Sequence, residues 1–123
     1  MKNIIVIIFL MVIGMICFAQ NTDIQGSNLQ GEWICVSIES ENETIDPRTI
    51  GIIMLWKFEG INFSQSYNEN GKTELVTGTF KTISNVIIFE FGQEALMWPY
   101  TIQGNTFVVS VHDGGHTYIF HKH

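Results

Sequence analysis

The stretch Leu29-Gln30-Gly31-Glu32-Trp33 opens a series of short segments in which apolar and polar residues alternate almost to the C-terminus. Alternation with a period of two is typical of β-strands that bury one face, and no long segment beyond this point repeats its apolar residues at helical spacing. A sheet that closes on itself leaves no free edge and encloses an apolar interior. The sequence therefore predicts an all-β domain that begins with this Gly-x-Trp stretch.

Residues 1–19 have the features of a secretory signal peptide. A basic start precedes an uncharged apolar block that is too short to span a bilayer, and small residues at Cys17 and Ala19 fit a cleavage site. We therefore expect cleavage near Ala19, a flexible tether over residues 20–28, and a secreted or periplasmic protein without a membrane span. A lipid anchor at Cys17 is less favoured, because Ile16 is bulkier than the usual lipobox residue.

The composition indicates one acidic domain over residues 29–123. The formal net charge of the chain is −6, and its few basic residues are spread singly along the sequence. Nucleic-acid binding needs a basic stripe, so a nucleic-acid partner is not expected. After signal cleavage Cys35 is the single cysteine, which leaves no internal disulfide. We expect Cys35 to be a buried apolar residue of the core.

Eight strands follow from the alternation and from the turn residues between them. Short connections such as Asn70-Gly71 favour hairpins, so consecutive strands are expected to pair antiparallel. The expected fold is an eight-stranded antiparallel up-and-down barrel, and the alternative is an open sandwich of two four-stranded sheets. The strands are expected over residues 31–40, 52–59, 61–67, 75–82, 86–91, 97–103, 106–113 and 116–121.

The chain resembles the small bacterial secreted lipocalin-like domains of the calycin group. The points of similarity are the opening Gly31-x-Trp33, the later Gly78-x-Phe80 and a closing hairpin of two strands. The resemblance implies that Gly31 lets the chain pass close to its neighbours, and that Trp33 plugs the closed end beneath a basic side chain of the last strand. That strand here ends in His-Lys-His at residues 121–123, in place of an arginine.

Aromatic side chains are the candidates for ligand binding. They are dense for so short a chain, and they could line a pocket at the mouth of the barrel. They could equally fill its interior, since an eight-stranded barrel is just wide enough for its own side chains. The residues expected to bind a ligand are Trp56, Phe58, Trp98, Tyr100 and Tyr118.

Two functions are compatible with an exported barrel of this kind. The first is binding of a small hydrophobic or amphipathic ligand at the open end. The alternative is an envelope protein-interaction module, of the inhibitor or immunity type, that acts through its loops. In that case the acidic residues Glu41, Glu43 and Asp46 would contact the protein partner.

No catalytic residue, metal site or cofactor is expected. If Gly114-Gly115 forms a two-residue turn, Asp113 faces His116, and His112 and His116 point to opposite sides of the hairpin, which does not suit a shared metal ion. No plausible serine nucleophile or second acid accompanies Asp113 and His116, so these two residues are not expected to form a hydrolase site. We therefore expect a binding protein rather than an enzyme.

Overall fold

The computed structural model describes residues 27–111 and 115–123. The expected signal peptide, Cys17 and most of the expected tether lie outside these residues. Within them, no helix is long and apolar enough to cross a membrane. The described elements are the 3-10 helices Ser27–Leu29 and Pro47–Ile50 and the strands β1 Gly31–Glu39, β2 Thr44–Ile45, β3 Ile52–Glu59, β4 Asn62–Glu69, β5 Lys72–Ile83, β6 Val86–Phe91, β7 Glu94–Gln103, β8 Thr106–Val111 and β9 His116–Lys122.

The strands form one closed antiparallel sheet. β1 pairs with β3, where Trp33 lies opposite Trp56, and on its other side with β9, where Cys35 lies opposite Phe120. The pairing of β1 with β9 closes an eight-stranded up-and-down barrel of β1 and β3 to β9. The expected barrel is therefore confirmed, and the open sandwich is excluded. β2 is a two-residue addition that pairs with the last residues of β1.

The two ends of the barrel are built from different connections. The chain enters β1 at the end that also carries the turns at residues 60–61, 84–85 and 104–105. The other end carries the connection over residues 40–51 and the turns at residues 70–71 and 92–93. We call the first end the closed end and the second end the mouth.

Most of the expected strands are present with shifted bounds. Residues 52–59 and 86–91 are strands as expected, whereas β5 begins at Lys72 rather than residue 75 and β7 begins at Glu94 rather than residue 97. The turn before β5 is as short as two residues because Asn70 and Gly71 both adopt positive φ angles, 54° and 85°. This is the geometry that an Asn-Gly hairpin turn requires.

The expected register of the last hairpin is wrong. Val111, rather than Asp113, lies opposite His116, so the connection spans residues 112–115. His112, Asp113 and Gly114 lie outside the described residues. A shift of two residues keeps the same side chains inside the barrel, and the alternation of the sequence therefore does not detect it.

Trp33 fills the closed end of the barrel. Its side chain is fully buried and packs against Phe107, with ring centroids 5.6 Å apart. The indole Nε1–H donates a hydrogen bond of 2.8 Å to the carbonyl of Leu29, which is also fully buried. The buried indole donor is thus satisfied within the chain that enters the barrel, as buried polar groups must be.

A basic side chain of the last strand covers Trp33, and it is Lys122. Its Nζ lies 4.5 Å from the centre of the indole and donates a 2.6 Å hydrogen bond to the carbonyl of Gln30. Gly31 makes this approach feasible, because its φ is 116° and a Cβ there would lie 3.0 Å from both Cε and Nζ of Lys122. The Gln30 side chain also bonds the backbone N–H and carbonyl of Gly60.

Phenylalanine side chains fill the half of the interior that is nearer the closed end. Phe58 contacts Phe80 and Phe89 with ring centroids 4.8 and 6.1 Å apart. Gly78 leaves room for this packing, since a Cβ at Gly78 would meet the Glu90 carbonyl oxygen and lie 2.8 Å from a ring carbon of Phe63. The buried core consists of Leu29, Trp33, Cys35, Met54, Trp56, Phe58, Phe63, Phe80, Ile87, Phe89, Phe107, Val109 and Phe120.

Candidate functional site

A pocket of about 220 Å³ lies inside the mouth of the barrel, above the phenylalanine core. Its walls come from β3, β4, β5, β7, β8 and β9, so almost the whole circumference of the barrel contributes. The strand registers place most of these side chains on the inward face of the sheet. The lining residues are Met54, Trp56, Gln65, Ser66, Tyr67, Glu74, Val76, Trp98, Val111 and Tyr118.

Two tryptophans from different strands form the aromatic part of the pocket. Trp56 and Trp98 are stacked, with ring centroids 6.2 Å apart and an angle of 22° between the ring planes. Trp56 also contacts the buried rings of Phe120 and Phe89, at centroid distances of 4.5 and 5.5 Å. Because Trp56 is only 5% exposed and Trp98 is half-buried, most of the ring surface that the pair offers to the pocket belongs to Trp98.

Polar groups lie on the β4 and β5 side of the pocket. Tyr67 and Glu74 lie opposite each other, and Gln65 lies opposite Val76 one step deeper. Partial burial and the carboxylates of Glu69 and Glu74 raise the pKa of Tyr67, whose hydroxyl bonds to Glu69. The pocket thus joins apolar ring surface to a carboxylate and an amide.

Across the pocket, Tyr118 is a second partly buried phenol. Burial is the main cause that raises its pKa, and the nearby Cys35 and Tyr67 act in the same direction. Both phenols therefore remain neutral at physiological pH and serve as hydrogen-bond donors or ring surfaces.

The structure brings together three of the five residues expected to bind a ligand. Trp56, Trp98 and Tyr118 line the pocket. Phe58 is buried in the core, and Tyr100 packs on Phe107 with ring centroids 6.0 Å apart, so neither belongs to the lining. All five point inward, but Phe58 and Tyr100 lie one step closer to the closed end. A binding role for any of them stays a prediction.

Several lining residues were not among the expected ones. Gln65, Tyr67, Glu74 and Val76 lie on β4 and β5, where the sequence has fewer aromatic residues. The signal that places Tyr67 and Gln65 is their spacing from the buried Phe63, since residues i, i+2 and i+4 of a strand share a face.

Cys35 is a buried residue of the barrel wall, as expected. It is fully buried, and burial raises the pKa of its thiol to about 11. The thiol is therefore protonated at neutral pH and is neither a nucleophile nor a metal ligand. Among the described residues, no group of three or more His, Cys, Asp and Glu side chains could hold a metal ion.

The connection over residues 40–51 forms an acidic rim beside the mouth. Glu41 and Glu43 are exposed. Asp46 caps the 3-10 helix Pro47–Ile50 and forms an ion pair of 2.6 Å with Arg48, which lowers the pKa of its carboxyl group. Asp46 is thus engaged within its own loop.

A second, wider cleft of about 540 Å³ lies beside the turn between β6 and β7. It is bordered by Gly78 and Thr79 on β5 and by residues 90–95, and it is more open to solvent than the mouth pocket. The cleft offers one aromatic side chain, Phe91, among its lining residues. The mouth pocket, which is less open and has more aromatic residues in its lining, is therefore the better candidate site.

Two solved structures are similar to this chain. A lipocalin-like protein from Bacteroides uniformis ATCC 8492 has a TM-score of 0.61 and 14% sequence identity, over 78% of this chain and 99% of that chain. An uncharacterized protein from Bacteroides eggerthii DSM 20697 has a TM-score of 0.61 and 12% identity, over 77% of this chain and 99% of that chain. No protein-family model and no curated protein match the chain. At these identities the likeness concerns the fold, and this chain has a lipocalin-like barrel fold.

Proposed function

We propose that this barrel binds a small apolar or amphipathic molecule in its mouth pocket. The observation that carries the proposal is the partly enclosed pocket of about 220 Å³ with the stacked pair Trp56 and Trp98 in its wall. A cavity of roughly 150 Å³ is enough for benzene, whereas pockets for drug-sized ligands begin at about 300 Å³. The expected ligand is therefore a single ring or a short branched chain with one polar group.

The proposal concerns a binding protein that is exported, not an enzyme. Export rests on the signal-like residues 1–19 alone. The ionisable side chains in the pocket lining are Tyr67, Glu74 and Tyr118, and the raised pKa of both tyrosines keeps their hydroxyls protonated, which disfavours a phenolate nucleophile. The internal ion pair of Asp46 gives the alternative of a loop-bound protein partner less support than the pocket gives ligand binding.

A filling mutation tests the proposal. Val76 faces the pocket, and its neighbour Leu75 on the same strand faces outward and is 63% exposed. In Val76→Trp the indole should occupy the pocket, while Leu75→Trp adds the same side chain to the outer surface. Binding of small neutral compounds, such as cyclohexanol and 3,3-dimethylbutan-1-ol, would be measured by ligand-observed NMR and titration calorimetry.

The compounds are expected to bind the wild type and Leu75→Trp. In Val76→Trp the affinity should fall at least about tenfold, which corresponds to roughly 1.4 kcal/mol of binding free energy. Unfolding curves would establish that both variants are folded. Equal binding by the two variants would place the ligand elsewhere on the protein. Absence of binding by any small neutral or amphipathic compound would overturn the proposed function.

A further inference from the structure

We infer that the mouth pocket selects organic cations, in particular small quaternary or tertiary ammonium compounds, over neutral molecules of the same shape. This inference rests on the proposed function and names the chemical class of its ligand. Three features of the mouth support it: the aromatic rings, the exposed carboxylate that borders the pocket, and the charge of the surrounding rim.

Four aromatic rings surround the pocket. Trp56 and Trp98 supply the stacked pair, and Tyr67 and Tyr118 face the pocket from the strands on either side. The faces of aromatic rings carry partial negative charge, and they attract an ammonium group within about 6 Å of the ring centre. A neutral aliphatic ligand needs apolar walls, but it gains nothing from this electrostatic component.

The pocket lining contains one carboxylate and no basic side chain. Glu74 is the carboxylate, and Tyr67 lies directly opposite it on β4. Burial is the main cause that raises the pKa of Tyr67, and the negative potential of the Glu69 and Glu74 carboxylates raises it further. The same local potential favours a positive charge in the pocket.

The rim of the mouth carries mostly acidic side chains. Its described basic residues are Arg48, which is paired with Asp46, Lys72, which lies opposite Glu69 across the hairpin turn, and His116, whose ring centroid lies 6.4 Å from that of Tyr118. A partly enclosed cleft with one sign of charge concentrates ligands of the opposite sign. The described acidic residues of this end are Glu39, Glu41, Glu43, Asp46, Glu69, Glu74 and Glu94.

The size of the pocket limits the cation. A volume of about 220 Å³ fits a trimethylammonium group with a short substituent and excludes a long acyl chain within the barrel. Gln65 lies in the lining beside Val76 and offers an amide to a hydroxyl or carbonyl group on that substituent. Choline is therefore a suitable compound for measurement, and 3,3-dimethylbutan-1-ol is its neutral isostere.

The experiment titrates the wild-type protein with each compound in turn, at low salt and at pH 8. Choline should bind the wild type roughly 5- to 30-fold more tightly than 3,3-dimethylbutan-1-ol, which is the range expected when ring faces contact a desolvated cation. Val76→Trp should abolish binding of both compounds if they occupy the pocket.

Two variants with matched controls separate the sources of this preference. Glu74→Gln should weaken choline binding about 2- to 5-fold and leave the isostere within about twofold. Glu59→Gln removes a carboxylate at the closed end and should leave both affinities unchanged. Trp98→Leu should lower the ratio of choline to isostere affinity, whereas Met97→Leu, on the outer surface of the same strand, should not.

The outcomes distinguish this inference from the proposed function. If the isostere binds as tightly as choline and Val76→Trp blocks both, the pocket binds ligands without selecting cations, and this inference is overturned alone. If choline binds but Val76→Trp and Glu74→Gln have no effect, the cation binds elsewhere, which also overturns it. If neither compound binds the wild type, both the inference and the proposed function lose their support.

Discussion

The closed end and the mouth of this barrel use the same kind of side chain for different purposes. At the closed end Trp33 is fully buried, its N–H is satisfied by Leu29 and its ring is covered by Lys122. At the mouth Trp98 is half-buried and borders a pocket. A tryptophan with every contact satisfied stabilises the fold, whereas one with an uncovered face is available to a ligand.

Truncation of the two tryptophans should have the largest effect on this comparison. Trp33→Ala should lower the free energy of unfolding by roughly 3 to 5 kcal/mol, because it removes a fully buried ring and leaves a cavity. Trp98→Ala should cost about 1 to 2 kcal/mol, since part of its surface already contacts water. Urea unfolding of both variants measures the difference, and equal losses would remove the distinction between the two ends.

Gly31→Ala should have the next largest effect. The φ of 116° and the 3.0 Å approach of a Cβ to Lys122 both oppose a side chain at this position. We expect a loss of about 2 kcal/mol in the free energy of unfolding. Gly60→Ala is the control, because it has a positive φ of 62° but no neighbouring atom within 4 Å. It should cost about 1 kcal/mol, and a larger loss than in Gly31→Ala would contradict the importance of the Lys122 contact.

Lys122→Met should have a smaller effect. Methionine keeps the apolar stem over Trp33 but removes the ammonium group and its hydrogen bond to Gln30. The free energy of unfolding should fall by about 1 kcal/mol. The tryptophan fluorescence of the folded protein should also shift, because the Trp33 indole loses its ammonium neighbour. Lys81→Met, which removes an exposed ammonium group paired with Glu90, is the control and should change stability by less than about 0.5 kcal/mol.

Ionisation of the Cys35 thiol should leave stability unchanged at neutral pH and lower it at high pH. Burial raises the pKa of the thiol from 9.0 to about 11, so the folded protein retains a proton that the unfolded chain releases between these values. The free energy of unfolding should therefore fall as the pH rises from about 9 to about 11. Cys35→Ala should lack this component of the decrease.

The reactivity of Cys35 gives an independent measure. At pH 8 the folded protein should react with a thiol reagent far more slowly than the protein in denaturant, because both burial and the raised pKa suppress the thiolate. Reaction at equal rates in the two conditions would show that the wall of the barrel opens at Cys35.

Alternation made the barrel predictable from the sequence, and it also set the limit of that prediction. A period of two places Trp56 and Phe58 on the same inward face, and Trp98 and Tyr100 likewise. It does not give their height in the barrel, which depends on the stagger between strands. Phe58 and Tyr100 were therefore expected in the same site as the two tryptophans, although the structure places them nearer the closed end.

Other features needed contacts between residues that are distant in the sequence. Three basic candidates at residues 121–123 could have covered Trp33, and the register of β1 against β9 brings Lys122 opposite it. β5 begins at Lys72, three residues before its expected start. Glu74 is therefore part of the strand, and this places it in the wall of the pocket. The register of Val111 opposite His116 is invisible to alternation, since both registers bury the same side chains.

The three tryptophans of the chain provide the most direct test of the central claim, because each has one indole N–H that gives a separate signal in a ¹H–¹⁵N NMR spectrum. Addition of choline should shift the signals of Trp56 and Trp98 at the mouth and leave that of Trp33 in place, since the Trp33 N–H is bonded to Leu29 at the closed end. A shift of Trp33 as large as those of the other two, or no shift of any of them at saturating choline, would contradict the account.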